Sequence, residues 1–77
     1  VYLMNKKIKN NIALYLLGHG DVPQGVPSHI RDAATATRQL KVALDSAGSY
    51  QDVADNIRDR SIAAEVYSAK TKLRWPF

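Results

Sequence analysis

The 77-residue chain has no cysteine, and this absence excludes several kinds of chemistry together. Without thiols there is no disulfide framework, no thiolate nucleophile and no cysteine-ligated zinc site. Two histidines supply too few further ligands for a metal centre. We therefore expect no metal and no other cofactor.

Long apolar runs are missing as well. No stretch approaches the roughly 20 apolar residues that a membrane-spanning helix needs. Residues 12–17, which follow three lysines, are shorter than the apolar part of about 7 to 15 residues in a signal peptide. We expect no membrane contact, and a location in the cytoplasm or in a virion.

Strict alternation of apolar and polar residues is absent, whereas apolar residues recur three or four positions apart in three stretches. The sequence therefore predicts an all-α fold, a single small helical domain over residues 1–77, with helices at about 5–17, 29–47 and 50–74. Gly18, Gly20, Pro23, Gly25 and Pro27 form a linker at 18–28, because such a cluster cannot continue a helix.

Capping residues mark the predicted helix ends. Gly18 closes the first helix and Gly48 is the C′ residue of the second, while Ser28 is the expected N-cap of the second. The third helix opens with a capping box of Ser49 and Asp52.

The predicted third helix carries two adjoining apolar stripes. The first consists of Val53, Ile57, Ala64 and Tyr67, and the second of Ala54, Ile62, Val66, Ala69 and Leu73. Together they are wider than one neighbouring helix can cover. A chain of this length also buries only about 60% of its unfolded surface. We therefore expect a protein partner or a homo-oligomer.

Positive charge is concentrated at the two ends of a chain whose net charge is +4. The first 20 residues contain three lysines and no acid, and residues 66–77 contain three cations and no acid. Clustered cations of this kind bind nucleic-acid phosphates, although they also occur on simple solvated faces. The predicted phosphate contacts at the ends are Lys6, Lys7, Lys9, Lys70, Lys72 and Arg74.

The sequence offers no convincing catalytic group. His19 has only Asp21 as a nearby ligand or proton acceptor, and no serine lies in a motif that activates a hydroxyl. The aspartates of the third helix fit roles in capping and local ion pairing. We therefore expect neither an enzyme nor a small-molecule substrate.

The C-terminal residues interleave cations with aromatic side chains. Tyr67, Trp75 and Phe77 are predicted to contact a partner, since aromatic residues are enriched at interfaces and also stack on bases. The alternative is that Trp75 packs against the first helix.

Two segments resemble known DNA-binding motifs. Residues 30–33 with 37–44 resemble the helix-turn-helix of small winged-helix regulators, which implies that Arg38 and Lys41 face DNA. Residues 49–57 with 69–74 resemble the C-terminal helix-turn-helix of bacterial sigma factors. More loosely, residues 57–67 are similar to a charged, alanine-rich segment of uncharacterised bacterial and phage proteins, which implies an unbroken helix.

These observations predict a small, non-catalytic DNA-associated protein of phage or mobile-element type. The alternative is a helical interaction or structural subunit, such as a virion component or an inhibitor of a host complex, that binds protein rather than nucleic acid.

Overall fold

Three helices make up the regular structure of this protein. The computed structural model describes residues 6–22, 24–46 and 48–77, with α1 at Lys6–Leu16, α2 at Ser28–Asp45 and α3 at Tyr50–Thr71. None of these described residues lies in a strand. The predicted all-α fold with three helices is therefore confirmed. Two of the predicted helix ends, Asn5 and Ala47, lie outside the described residues.

Gly18 terminates α1, as the sequence predicted. Gly18 has φ of +90°, and its N–H donates to the Tyr15 carbonyl at 3.0 Å. The N–H of His19 donates to the Leu14 carbonyl at 2.8 Å. These two bonds are those of a Schellman motif, in which a left-handed C′ residue reverses the chain. Gly18 suits that position because it has no Cβ.

Both capping predictions for α2 are wrong by one position. Ser28 is the first helical residue. The N-cap is Pro27, which has a φ of −58° and makes no side-chain capping bond. The Pro27 carbonyl instead accepts the N–H of Ile30 at 3.1 Å. Beyond the helix, the N–H of Gly48 donates to the Ala43 carbonyl at 3.1 Å, which is the bond of a C″ residue and not of C′.

The start of α3 is as predicted, and its end comes earlier. Ser49 is the N-cap, and its hydroxyl accepts the N–H of Asp52 at 3.2 Å. The helix ends at Thr71 and not near residue 74, because Lys72 adopts the left-handed conformation with φ of 62°. The Thr71 hydroxyl accepts the N–H of Leu73 at 3.2 Å and so stabilises the turn.

The core lies along α2, which packs against both other helices and more extensively against α3. Small side chains on α2 allow this close approach, since Ala33 and Ala34 are fully buried. Ile12 of α1 and Ile30 of α2 are the fully buried aliphatic side chains of the cluster. Val22 of the linker is also buried, so the linker covers part of the core.

The C-terminal segment, residues 72–77, turns back after Lys72 and packs on the core. The indole Nε1 of Trp75 donates to the Thr37 hydroxyl on α2 at 3.0 Å. The Trp75 ring contacts Tyr67 and Phe77 edge to face, with centroid distances of 5.1 and 5.4 Å. This segment therefore joins the end of α3 to the middle of α2.

Part of the second apolar stripe of α3 is left uncovered, although Ala54 of that stripe is half-buried. Ile62 and Val66 are 55% and 42% exposed, and Leu73 is also exposed. Ile57 of the first stripe is exposed as well, whereas Tyr67 of that stripe is buried.

Candidate nucleic-acid interface

The predicted terminal cations all lie on the surface. Lys6, Lys7 and Lys9 are exposed in the first turn of α1, a turn that carries no acid. At the other end of the chain, three cations occupy different parts of the fold. Lys70 lies in the last turn of α3, Lys72 is its C-cap, and Arg74 belongs to the C-terminal segment; all three are exposed.

Arg38 is occupied within the protein. Its Nη1 donates a hydrogen bond to the Tyr15 carbonyl oxygen. Its guanidinium carbon also lies 4.9 Å from the centroid of the Tyr15 ring, within the range of a cation–π contact. Arg38 therefore fastens α1 to α2, and the prediction that it reaches toward DNA conflicts with these contacts.

Neither helix-turn-helix resemblance is matched by a turn in the structure. α2 runs unbroken through residues 34–36, and α3 runs unbroken through residues 58–59. A recognition helix needs a separate helix before it at a steep angle. The two resemblances imply a turn at these places, and both helices are continuous there.

The fold brings three cations from separate segments to two adjoining grooves. Lys41 of α2 and Arg60 of α3 line a groove of about 420 Å³, together with Phe77. Arg60 also lines a groove of about 330 Å³ with Arg74 and Trp75. Arg60 thus lies between the other two cations. We call Lys41, Arg60 and Arg74 the basic row.

The basic row is free of internal ion pairing. Among the described residues, no carboxylate lies within ion-pair distance of its three cations. Two acids, Asp45 and Glu65, contribute to the walls of the same grooves. The row is therefore a positive surface with local acidic neighbours, available to an external anion.

Sequence reasoning did not select Arg60. It lies seven residues, or two helical turns, before the buried Tyr67, so both occupy the side of α3 that faces the rest of the protein. The available signal in the sequence was a single cation, Arg60, between Ile57 and Ala64 of the first apolar stripe. Its significance depends on the positions of Lys41 and Arg74, which only the folded chain reveals.

Two of the three aromatic residues predicted as partner contacts are enclosed by the chain itself. Tyr67 is 1% exposed and Trp75 is 5% exposed. Neither ring presents a face to a base or a protein partner, so their predicted contact role conflicts with their burial. The structure supports the alternative that Trp75 is a packing residue, although its hydrogen bond goes to α2 and not to α1. Phe77 is half-buried in the larger groove.

Lys70 lies on a different flank of α3 from the basic row. Arg60, Ala64 and Ser68 follow one another at intervals of four residues and line the smaller basic groove. Val66 lines a separate groove on the other side of the helix, and Lys70 follows Val66 by one turn. The predicted C-terminal cluster is thus divided between two surfaces.

The described residues contain no group of three or more metal-ligating side chains. In the same part of the chain, none of the helices has the length and apolar character required to cross a bilayer.

No protein family, curated protein or solved structure matches this chain. The resemblances to regulator and sigma-factor helices stay predictions. The properties of the molecular surface are therefore the basis for a functional assignment.

Proposed function

We propose that this protein binds nucleic acid through contacts between its basic row and backbone phosphates. The observation that carries the proposal is the convergence of Lys41, Arg60 and Arg74, from α2, α3 and the C-terminal segment, on two adjoining grooves. Cations that are close together on a folded surface displace condensed counterions from a nucleic-acid backbone, which favours binding.

Packing holds the basic row in place. Lys41 and Arg60 lie on long helices that pack against each other, and Arg74 adjoins the buried Trp75. A rigid backbone lowers the entropy lost when the side chains engage phosphates. The three exposed lysines at the start of α1 form a second basic cluster.

Binding of this kind carries little sequence preference. Sequence is read by side chains that reach the base edges, and stacking of unpaired bases on aromatic rings adds affinity with little sequence preference. Arg38 is bound to α1, and both Tyr67 and Trp75 are enclosed in the core. The surface therefore fits the backbone of nucleic acid and not a particular sequence.

The test is the salt dependence of binding to a labelled duplex and a labelled single strand of mixed sequence, measured by fluorescence anisotropy. The variant Lys41→Gln, Arg60→Gln, Arg74→Gln removes the three charges of the basic row and keeps a long polar side chain at each position. Each lost phosphate contact lowers the slope of log K against log salt by about 0.9 for duplex DNA. We expect the slope to fall by roughly 2 to 3 for each protomer that contacts the nucleic acid.

A matched control removes the same charge elsewhere. The variant Arg31→Gln, Arg58→Gln, Lys72→Gln also lowers the net charge by three but spares the basic row. Arg58 is already paired with Asp55 at 3.5 Å. We expect this control to keep the wild-type slope within about one unit. Equal slopes for the two variants, or no binding by the wild-type chain at low salt, would contradict the proposal.

A second candidate is an interaction subunit that binds protein, and exposed aliphatic side chains favour it. Besides those on α3, Leu14, Leu17, Val42 and Leu44 are exposed on α1, on α2 and in the loop after α1. Exposed apolar patches are typical of interaction sites. Assembly that is indifferent to salt, without binding to nucleic acid, would favour this candidate.

A further inference from the structure

One flank of α3, on the side away from the basic row, changes from acidic to apolar to basic along the helix. Asp59 comes first, Ile62 and Val66 follow, and Lys70 comes last. With 3.6 residues per turn, these four side chains fall within roughly 80° of the helix circumference. All four are exposed. We call them the α3 flank.

The α3 flank borders a groove of about 230 Å³ between α2 and α3. Ile62 and Val66 form its apolar wall, while Asp32 and Asp59 make its rim acidic. An apolar cavity of about 150 Å³ is sufficient for a molecule the size of benzene. The groove therefore has room for an aliphatic side chain from a neighbouring molecule.

The charges at the two ends of the α3 flank are unpaired within the monomer. Among the described residues, no opposite charge lies within ion-pair distance of Asp59 or Lys70. Asp59 precedes the apolar pair Ile62 and Val66 along the helix, and Lys70 follows it. The flank is therefore complementary to a second copy of itself that runs in the opposite direction.

We propose that two copies of this chain associate through the α3 flank, with their α3 helices antiparallel about a two-fold axis between Ile62 and Val66. Such an interface uses the same surface patch on both protomers, which is the usual arrangement in homodimers. Ile62 of one protomer then lies opposite the partner's Val66. Each apolar pair is formed twice.

Helix geometry places the charges in register. At a rise of about 1.5 Å per residue, Lys70 lies about 6 Å beyond Val66 and Asp59 about 4.5 Å before Ile62. In the antiparallel arrangement, Lys70 is therefore within about 1.5 Å along the axis of the partner's Asp59. A parallel arrangement would set Lys70 beside the partner's Lys70, so the charges select the antiparallel pair.

The first test measures association by sedimentation equilibrium over a range of concentrations. The variant Ile62→Gln, Val66→Gln introduces glutamine, a good helix former, and removes the apolar centre. We expect it to weaken dimerisation by roughly tenfold or more. The matched control is Leu14→Gln, Leu17→Gln, at positions that are 48% and 63% exposed but lie outside the α3 flank. The control should dimerise like the wild type.

The second test exchanges the charges. Asp59→Lys sets lysine against the partner's Lys70, and Lys70→Asp sets aspartate against the partner's Asp59. Each variant alone should dimerise less tightly, by about tenfold. When the two variants are mixed, both pairs in the heterodimer are again opposite in charge. We expect the mixture to associate more tightly than either variant, and the double variant to recover the wild-type affinity.

Circular dichroism of each variant shows whether its helices are retained, and the rescue in the mixture requires that both variants fold. A wild-type chain that sediments as a monomer up to roughly 1 mM overturns the proposal. So does a dimer that survives the Ile62→Gln, Val66→Gln change, or a mixture that associates no better than its components. Loss of nucleic-acid binding alone leaves this dimer intact, since the basic row lies on the other flank.

Discussion

Trp75 provides a direct test of the fold, because it fixes the C-terminal segment to the core. It is 5% exposed, contacts Tyr67 and Phe77 edge to face, and donates to the Thr37 hydroxyl at 3.0 Å. Truncation of a buried tryptophan to alanine costs about 3–5 kcal/mol. The whole stability expected for 77 residues is roughly 4–12 kcal/mol. Trp75→Ala should therefore remove a large part of this stability.

Trp75→Phe gives a graded measurement. It keeps an aromatic ring but loses the indole hydrogen bond and some volume, which together cost about 1–2 kcal/mol. At about 4–8 °C per kcal/mol for a domain of this size, the melting temperature should fall by roughly 4–16 °C. Thermal and urea unfolding followed by circular dichroism supply both quantities.

Thr37→Val removes the acceptor of this hydrogen bond, together with the bond that the Thr37 hydroxyl donates to the Ala33 carbonyl at 2.8 Å. It leaves the indole N–H without its acceptor on α2, so a double-mutant cycle with Trp75→Phe should give a coupling energy of about 1 kcal/mol. Leu73→Ala, at an exposed position in the same segment, is the control and should cost at most about 1 kcal/mol. Trp75→Ala with a cost no larger than this control would refute the packing of residues 72–77, and with it the placement of Arg74 in the basic row.

Three further predictions concern helix ends and Arg38, and each is measured by urea unfolding. Ser49→Ala removes the capping bond of α3 and should cost about 0.5–2 kcal/mol, whereas Ser28→Ala, with no such bond, should stay within about 0.5 kcal/mol; equal costs would contradict the assigned caps. Lys72→Gly relieves the left-handed conformation and should stabilise the protein by about 0.5–1 kcal/mol, so a loss of stability would count against that φ angle. Arg38→Gln removes the side-chain hydrogen bond to the Tyr15 carbonyl and should cost about 1–2 kcal/mol, while the salt slope of nucleic-acid binding changes by less than about one unit; a larger change would restore Arg38 to the interface.

Local chemistry explains which helix ends the sequence predicted. Gly18 and Ser49 act through their own backbone freedom and hydroxyl group, so short sequence patterns identify them. The end of α3 depends on whether the chain continues as a helix or turns after Thr71, and the spacing of apolar residues does not decide between the two. There the Thr71 hydroxyl bonds to the backbone on both sides, while the following residue adopts a strained conformation so that Trp75 can reach the core.

The candidate site was only partly predictable, because its residues come from three segments that meet in space. Charge clustering identified Arg74, and the resemblance to winged-helix regulators identified Lys41, but clustering also selected Lys70, which lies on another flank. Periodicity shows that Arg60 faces inward, and it does not show which cations will be its neighbours. The sequence likewise predicted that the two apolar stripes of α3 are wider than one neighbouring helix can cover, yet the antiparallel charge register emerges only when α3 is known to be unbroken.

The two proposals are compatible, because the basic row and the α3 flank lie on different sides of α3. A dimer would present two basic rows to one nucleic acid, and linked sites bind more tightly than either alone. The Ile62→Gln, Val66→Gln variant, which keeps every charge, should then bind nucleic acid with about half the wild-type salt slope, since half the phosphate contacts remain. The variant lacking the basic row should dimerise normally. A monomeric variant with an unchanged salt slope would show that a single protomer makes all the phosphate contacts.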